Sequence, residues 1–231
     1  FAWEAGAQED PYRALIDEVG DGGIYEGADL AIVFDSTFVD VENTGLSHVV
    51  NHRLIKVLTW DGAKRMTGLR FDYDPASNLF EPRRVVVHRA DGKLEEIDVG
   101  NALDPPQPQH MIYWGPRMKV LELPRLNVGD AVELRTYKKG FQIAYLGGGP
   151  GTPECSLEAA GCGRLAGGAA AGADVAPEYR RDYVDPATGL KPPMYGAFYD
   201  IVYFQEKIPI KEKRYTLVSP VHMPLYSEVY Q

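Results

Sequence analysis

The chain has 231 residues, a formal net charge of −9, and 45% apolar and 25% charged residues. These values argue against global disorder. They also argue against a nucleic-acid partner, because phosphates need Lys and Arg gathered on one face, and here Arg83–Arg84, Lys138–Lys139, Arg180–Arg181 and Lys211–Arg214 are scattered among acids.

The opening FAWEAGAQEDP has no basic region and no apolar core, so it does not read as an intact signal peptide; a processed N-terminus is one reading of it. A helix follows. Asp10 can cap it, Pro11 suits its first position, and Tyr12, Leu15, Ile16 and Val19 fall at helical spacing before Gly20 ends it. GDGGIYEGAD connects it to the rest, so residues 1–27 form a helix and connector and 28–231 the main domain.

From Leu30 to Val99 a strand–turn rhythm takes over. LAIVFDSTFVDV, HVVNHRLIKVLT, TGLRFDY, RRVVVH and KLEEID are rich in β-branched and aromatic residues, and Gly, Asp and Asn fill the gaps. WDG at 60–62 and ADG at 90–92 read as hairpin turns. NALDPPQPQH at 101–110 is a surface excursion, since its prolines remove ladder donors. RMKVLELP and AVELRTYKKGFQIAYL resume the strand pattern on either side of a turn at NVGD. The pattern closes with IVYFQEKIPIKEKRYTLVSP, read as two strands meeting near Pro209. No window holds the roughly 18–20 apolar residues a membrane-spanning helix requires. The expectation is an all-β chain, an antiparallel β-sandwich with a short N-terminal helix and a long irregular insertion at about 147–198.

That insertion carries the chain's two cysteines, Cys155 and Cys162, in a glycine-rich stretch. A disulfide closing so short a loop would stabilise by roughly 2.5 kcal/mol on a chain-entropy model, and would place the chain in an oxidising compartment. Two free thiols and metal ligation are the alternatives, but zinc wants four ligands and no His stands near. The second half of the insertion is aromatic. Tyr179, Tyr183, Tyr195 and Tyr199 are candidates for a partner-binding surface, since tyrosine suits positions buried at one end and wet at the other.

No catalytic or metal set emerges. His48 and His52 share a strand face at roughly 13 Å, too far apart for one metal. His88, His110 and His222 stand alone. The carboxylate pairs Asp72 and Asp74, Glu95 and Glu96, and Asp182 and Asp185 mark no cleft, and DYVDPATG at 182–189 lacks the acidic density of a calcium loop. No cofactor is implied.

Several segments, taken in order, resemble a known family. They are the Lys56–Gly62 stretch KVLTWDG, the Asp91–Gly92 turn in ADGK, the Leu123–Asp130 step LPRLNVGD, and the closing PIKEKRYTLVSP. Over about 28–146 and 199–220 the chain resembles the β-sandwich domain of unknown function that precedes a transglutaminase-like core in many bacterial exported proteins. That core uses a Cys, a His and an Asp. Here VHMPLYSEVYQ follows the sandwich, so no residue of this sequence is assigned that triad.

The leading expectation is therefore a non-catalytic exported or periplasmic binding or assembly module with a protein partner, such as an accessory subunit of an envelope complex. One alternative is the N-terminal domain of a transglutaminase-like enzyme. Another is a carbohydrate-binding sandwich using Trp60, Trp114 or the tyrosines.

Overall fold

The computed structural model describes residues 10–25, 27–107, 115–141, 183–192, 195–223 and 225–227. Eight strands are described: β1 Leu30–Val41, β2 Leu46–Val57, β3 Gly68–Tyr73, β4 Asn78–His88, β5 Leu94–Ile97, β6 Arg117–Glu122, β7 Ala131–Phe141 and β8 Lys213–Val218. Two short helices join them, α1 Arg13–Glu18 and α2 Trp60–Arg65. The expected mainly β architecture is present.

A six-stranded sheet runs β5-β4-β7-β2-β1-β8, and β3 pairs with β6 in a second, two-stranded sheet. Every pairing is antiparallel except that of β8, which lies parallel to β1 with Thr37 opposite Tyr215. Antiparallel neighbours can be joined by a tight hairpin, as β1 and β2 are. β8 reaches the sheet after a long excursion, and that frees its direction.

Strand alternation gives the large sheet two faces. One face carries Ile32, Ile55, Val57, Val85, Val87, Val132 and Leu134. It packs against Leu69 and Leu121 of the small sheet, Ala63 and Met66 around α2, and Leu123 and Leu126. The other face carries Ala31, Val33, Leu54 and Ala131 and takes Ile16 and Val19 of α1. The large sheet thus lies between the small sheet and α1.

Two sequence readings are corrected. WDG at 60–62 is not a hairpin turn but the start of α2. Thr59 caps that helix, its Oγ1 accepting from the Gly62 N–H at 3.1 Å. A Cβ on Gly62 would stand 2.2 Å from the Asp29 carbonyl oxygen, so the glycine serves close packing of α2. The closing segment holds one strand, not two. Residues 201–209 run without ladder pairing, Ile210 makes a lone bridge to Ile32, and β8 begins at Lys213.

Other readings hold. ADG at 90–92 does turn β4 into β5: Gly92 has φ of +86°, and the Arg89 N–H donates to the Lys93 carbonyl at 2.8 Å. The LPRLNVGD step turns at Gly129, and its Asp130 is buried. Asp130 accepts from the Asn127 N–H, the Ala90 N–H and the Arg89 guanidinium at 2.8–2.9 Å. Two of the motifs that carry the family resemblance are therefore locked to each other.

Candidate functional site

The first candidate lies where the N-terminal segment meets the sheet. β4 is apolar on both faces through VVV, so the residue that continues the run, His88, is also buried, with 1% of its surface exposed. Its two ring nitrogens face two carboxylates. Nδ1 is 2.8 Å from Asp10 Oδ1, and Nε2 is 3.4 Å from Glu133 Oε2. The other oxygen of Glu133 takes His52 Nε2 and the Arg135 guanidinium, each at 2.9 Å. Arg135 also donates to the Tyr12 hydroxyl at 3.1 Å. The Tyr12 ring lies 5.7 Å from His88 and 5.8 Å from His52, and Phe34 stands edge-on to His52 at 4.8 Å.

The geometry fixes the charges. Neutral imidazole has one N–H, so it can serve one carboxylate and must point a lone pair at the other. Imidazolium serves both. Burial works against that charge, but the hydrogen bonds to Glu133 and Asp10 outweigh it and hold the His88 pKa above the ordinary histidine value. Burial likewise opposes ionisation of Glu133. The bonds from His52 and His88 and the charge of Arg135 overcome it and hold Glu133 far below the usual carboxylate range. Among the described residues no group of three His, Cys, Asp or Glu is placed to hold a metal ion.

The second candidate is the stretch before β8. It is anchored at both ends through backbone hydrogen bonds and between them through two carboxylates. The Gly196 N–H donates to the Thr44 carbonyl at 2.8 Å, and Ala197 lies so close to Gly45 that a Cβ there would stand 2.4 Å from the Ala197 carbonyl oxygen. The Tyr215 hydroxyl donates to Asp200 at 2.5 Å. Burial and then that carboxylate push the Tyr215 hydroxyl pKa well above its ordinary value. Glu206 accepts from Arg53 at 2.9 Å and Lys213 at 3.2 Å, and both cations also hold the buried Asp35. The Pro209 carbonyl accepts from the Ile32 N–H at 2.8 Å. Within this anchored stretch Tyr199, Ile201, Tyr203 and Phe204 have 46%, 41%, 70% and 62% of their surfaces exposed.

The residues singled out from sequence separate. Tyr183 and Tyr195 meet edge-on at 5.2 Å, and Tyr183 packs on Leu46, Phe141 and Leu190. Tyr199 is exposed. Tyr179, Cys155, Cys162 and Trp114 lie outside the described residues. Trp60 is exposed at the start of α2. His48 takes its own partners, Tyr137 and Glu42, each at 2.7 Å, apart from those of His52. Asp10, His88, Glu133, Tyr203 and Phe204 received no site role from sequence. The signal for His88 was present: it continues a run buried on both faces.

Residues 43–155 match DUF3857, a domain of unknown function with a solved structure. No curated protein matches the chain. Among solved structures, a candidate protease from Parabacteroides distasonis aligns with 51% of the chain at 11% identity and a TM-score of 0.45. The chain spans 24% of that protein's length. The CBM3a-L domain of a Clostridium thermocellum cellulosome scaffoldin aligns with 49% of the chain and 68% of its own, at 8% identity and a TM-score of 0.30. An M1 zinc metallopeptidase of Deinococcus radiodurans aligns with 54% of the chain and 23% of its own, at 16% identity and a TM-score of 0.30. At these scores none bears on how this chain works.

Proposed function

We propose that this domain is a non-catalytic protein-binding module of an exported protein, and that it docks its partner through the run from Tyr199 to Phe204. The observation that carries this reading is the contrast within one short stretch. The stretch is anchored by its backbone at Gly196 and Pro209 and by the carboxylates of Asp200 and Glu206 between them, while four large side chains are left exposed. Anchoring on both sides limits the ordering entropy that binding costs, and several large exposed apolar and aromatic side chains close in sequence suit an interaction surface.

A photo-crosslinking residue placed at Tyr203 should give a discrete adduct in envelope fractions of the source cells. The same residue at Leu103, which is 62% exposed but belongs to a different segment, should give none. Equal adducts at both positions, or none at Tyr203, would overturn the reading.

The sequence resemblance over about 28–146 and 199–220 supports a second reading, in which the domain is the N-terminal part of a transglutaminase-like protein. The aromatic run then docks on that protein's own core, and the adduct at Tyr203 is intramolecular.

A further inference from the structure

We infer that α1 is a proton-operated latch: its seat on the sheet requires the proton shared by Asp10, His88 and Glu133, and rising pH releases it.

Three sets of contacts hold the N-terminal segment. At its start, Asp10 Oδ1 accepts from the Tyr12 N–H at 2.9 Å and faces His88 Nδ1. In the middle, Ile16 and Val19 meet the apolar face, and Arg13 donates to the Arg89 and Ala90 carbonyls at 3.3 and 3.4 Å. At its end, the buried Lys56 donates to the Ile16 and Gly20 carbonyls at 2.8 and 2.7 Å. Burial lowers the Lys56 pKa, so rising pH favours rather than weakens that end, and the neutral amine still has N–H groups to give. Arg13, paired with Asp17, is a cation at all relevant pH. The start differs, because there the bond depends on one proton.

With that proton present, the buried His88 is a cation between the buried carboxylates of Asp10 and Glu133, and the half-exposed Arg135 adds a second cation on Glu133. Without it, two buried carboxylates are left beside an uncharged ring. One carboxylate then faces a ring lone pair. Asp10 is the anion that can leave, since Glu133 stays bonded to His52 and Arg135. Asp10 is also poorly held, because its Oδ2 is buried with no hydrogen-bond partner. A buried acceptor left unmet favours a return to water.

The sign follows from linkage. Glu133 stays beside His88 when α1 leaves, and Asp10 is the anion that docking adds. A histidine that gains an anionic partner on docking supports docking below its undocked pKa and loses that support as pH rises through the docked value. The groups facing the site are Asp10, Tyr12 and Arg13 from the N-terminal segment, His52 and Lys56 from β2, Arg89 beside β4, and Glu133 and Arg135 from β7. The latch adds to the binding role proposed above and does not rest on it.

Hydrogen exchange on the full chain, normalised for intrinsic rates at each pH, tests it. Protection over 13–20 should fall about fivefold or more from pH 6 to pH 9, while protection of β2 and β7 holds. In His88→Gln, which cannot titrate, protection of 13–20 should be low and flat with pH. In Asp10→Asn, whose amide can meet either nitrogen state of the ring and leaves His88 one anion instead of two, the fall should shrink and move to lower pH. A flat profile in the parent chain, or a fall retained in His88→Gln, overturns the latch. Should His88→Gln not fold, a fall unmoved in Asp10→Asn overturns it equally.

Discussion

The two faces of the large sheet are closed by different physics. The face toward the small sheet is sealed by thirteen buried apolar residues drawn from strands, α2 and connecting segments. The face toward α1 has a smaller apolar patch, and its helix is pinned by Asp10 on His88 at one end and Lys56 on the helix carbonyls at the other. Apolar burial needs no particular protonation state and grows with area removed from water. Buried ionic pins need specific charges, and removing one partner leaves the other stranded. One face is therefore constitutive, while the other is held only while its charges are complete.

The largest expected effect breaks the first face. Ile32 is fully buried between strands of the main cluster. Ile32→Ala should lower unfolding free energy by about 3 kcal/mol, read by urea denaturation, through lost transfer energy and a residual cavity.

A smaller effect tests charge on that same face, at the β8 edge. Asp35 is buried under Asn51, Arg53 and Lys213. Burial raises its pKa, but the bonds from Arg53 and Asn51 more than reverse that and hold it below the ordinary value. A depressed carboxylate stabilises above its unfolded pKa, near 3.9, and that contribution is lost as pH falls through the folded value. Asp35→Asn should therefore cost about 2 kcal/mol at pH 7 and flatten part of the stability loss below pH 4. Urea midpoints measured from pH 2 to 7 check both.

The smallest effect sharpens the contrast. Ile16 is as buried as Ile32 but belongs to α1. Its truncation cannot cost more than undocking the helix, so Ile16→Ala should shift the urea transition by only about 1 kcal/mol while abolishing protection over 13–20. If Ile16→Ala costs as much as Ile32→Ala, both faces belong to one cooperative unit and the contrast fails.

Much of the fold was legible in the sequence. LAIVFDSTFVDV is β1 residue for residue, ADG makes its hairpin, and Ile16 and Val19 do face the sheet, although Leu15 is exposed. These follow from local rules: side-chain period, β-branching and glycine at positive φ. One misreading mixes local and distant causes. Trp-Asp-Gly looks like a hairpin turn, yet Thr59 before it caps a helix, and Gly62 is there because α2 lies against Asp29.

The sites were less legible, because each joins residues far apart in the chain. By sequence Asp10 is a helix cap and His88 a lone histidine; 78 positions separate them, and only the docking of the N-terminal segment on the sheet makes them a pair. Tyr183, Tyr195 and Tyr199 were equivalent by composition, and packing divides them, two against each other and one toward water. What the sequence determined by itself is the strand pattern, because alternation and turn chemistry act over a few residues. The parallel entry of β8, the charge balance at His88 and the choice of exposed rings were decided by tertiary structure, because desolvation and ion pairing depend on neighbours that the chain brings together only when folded.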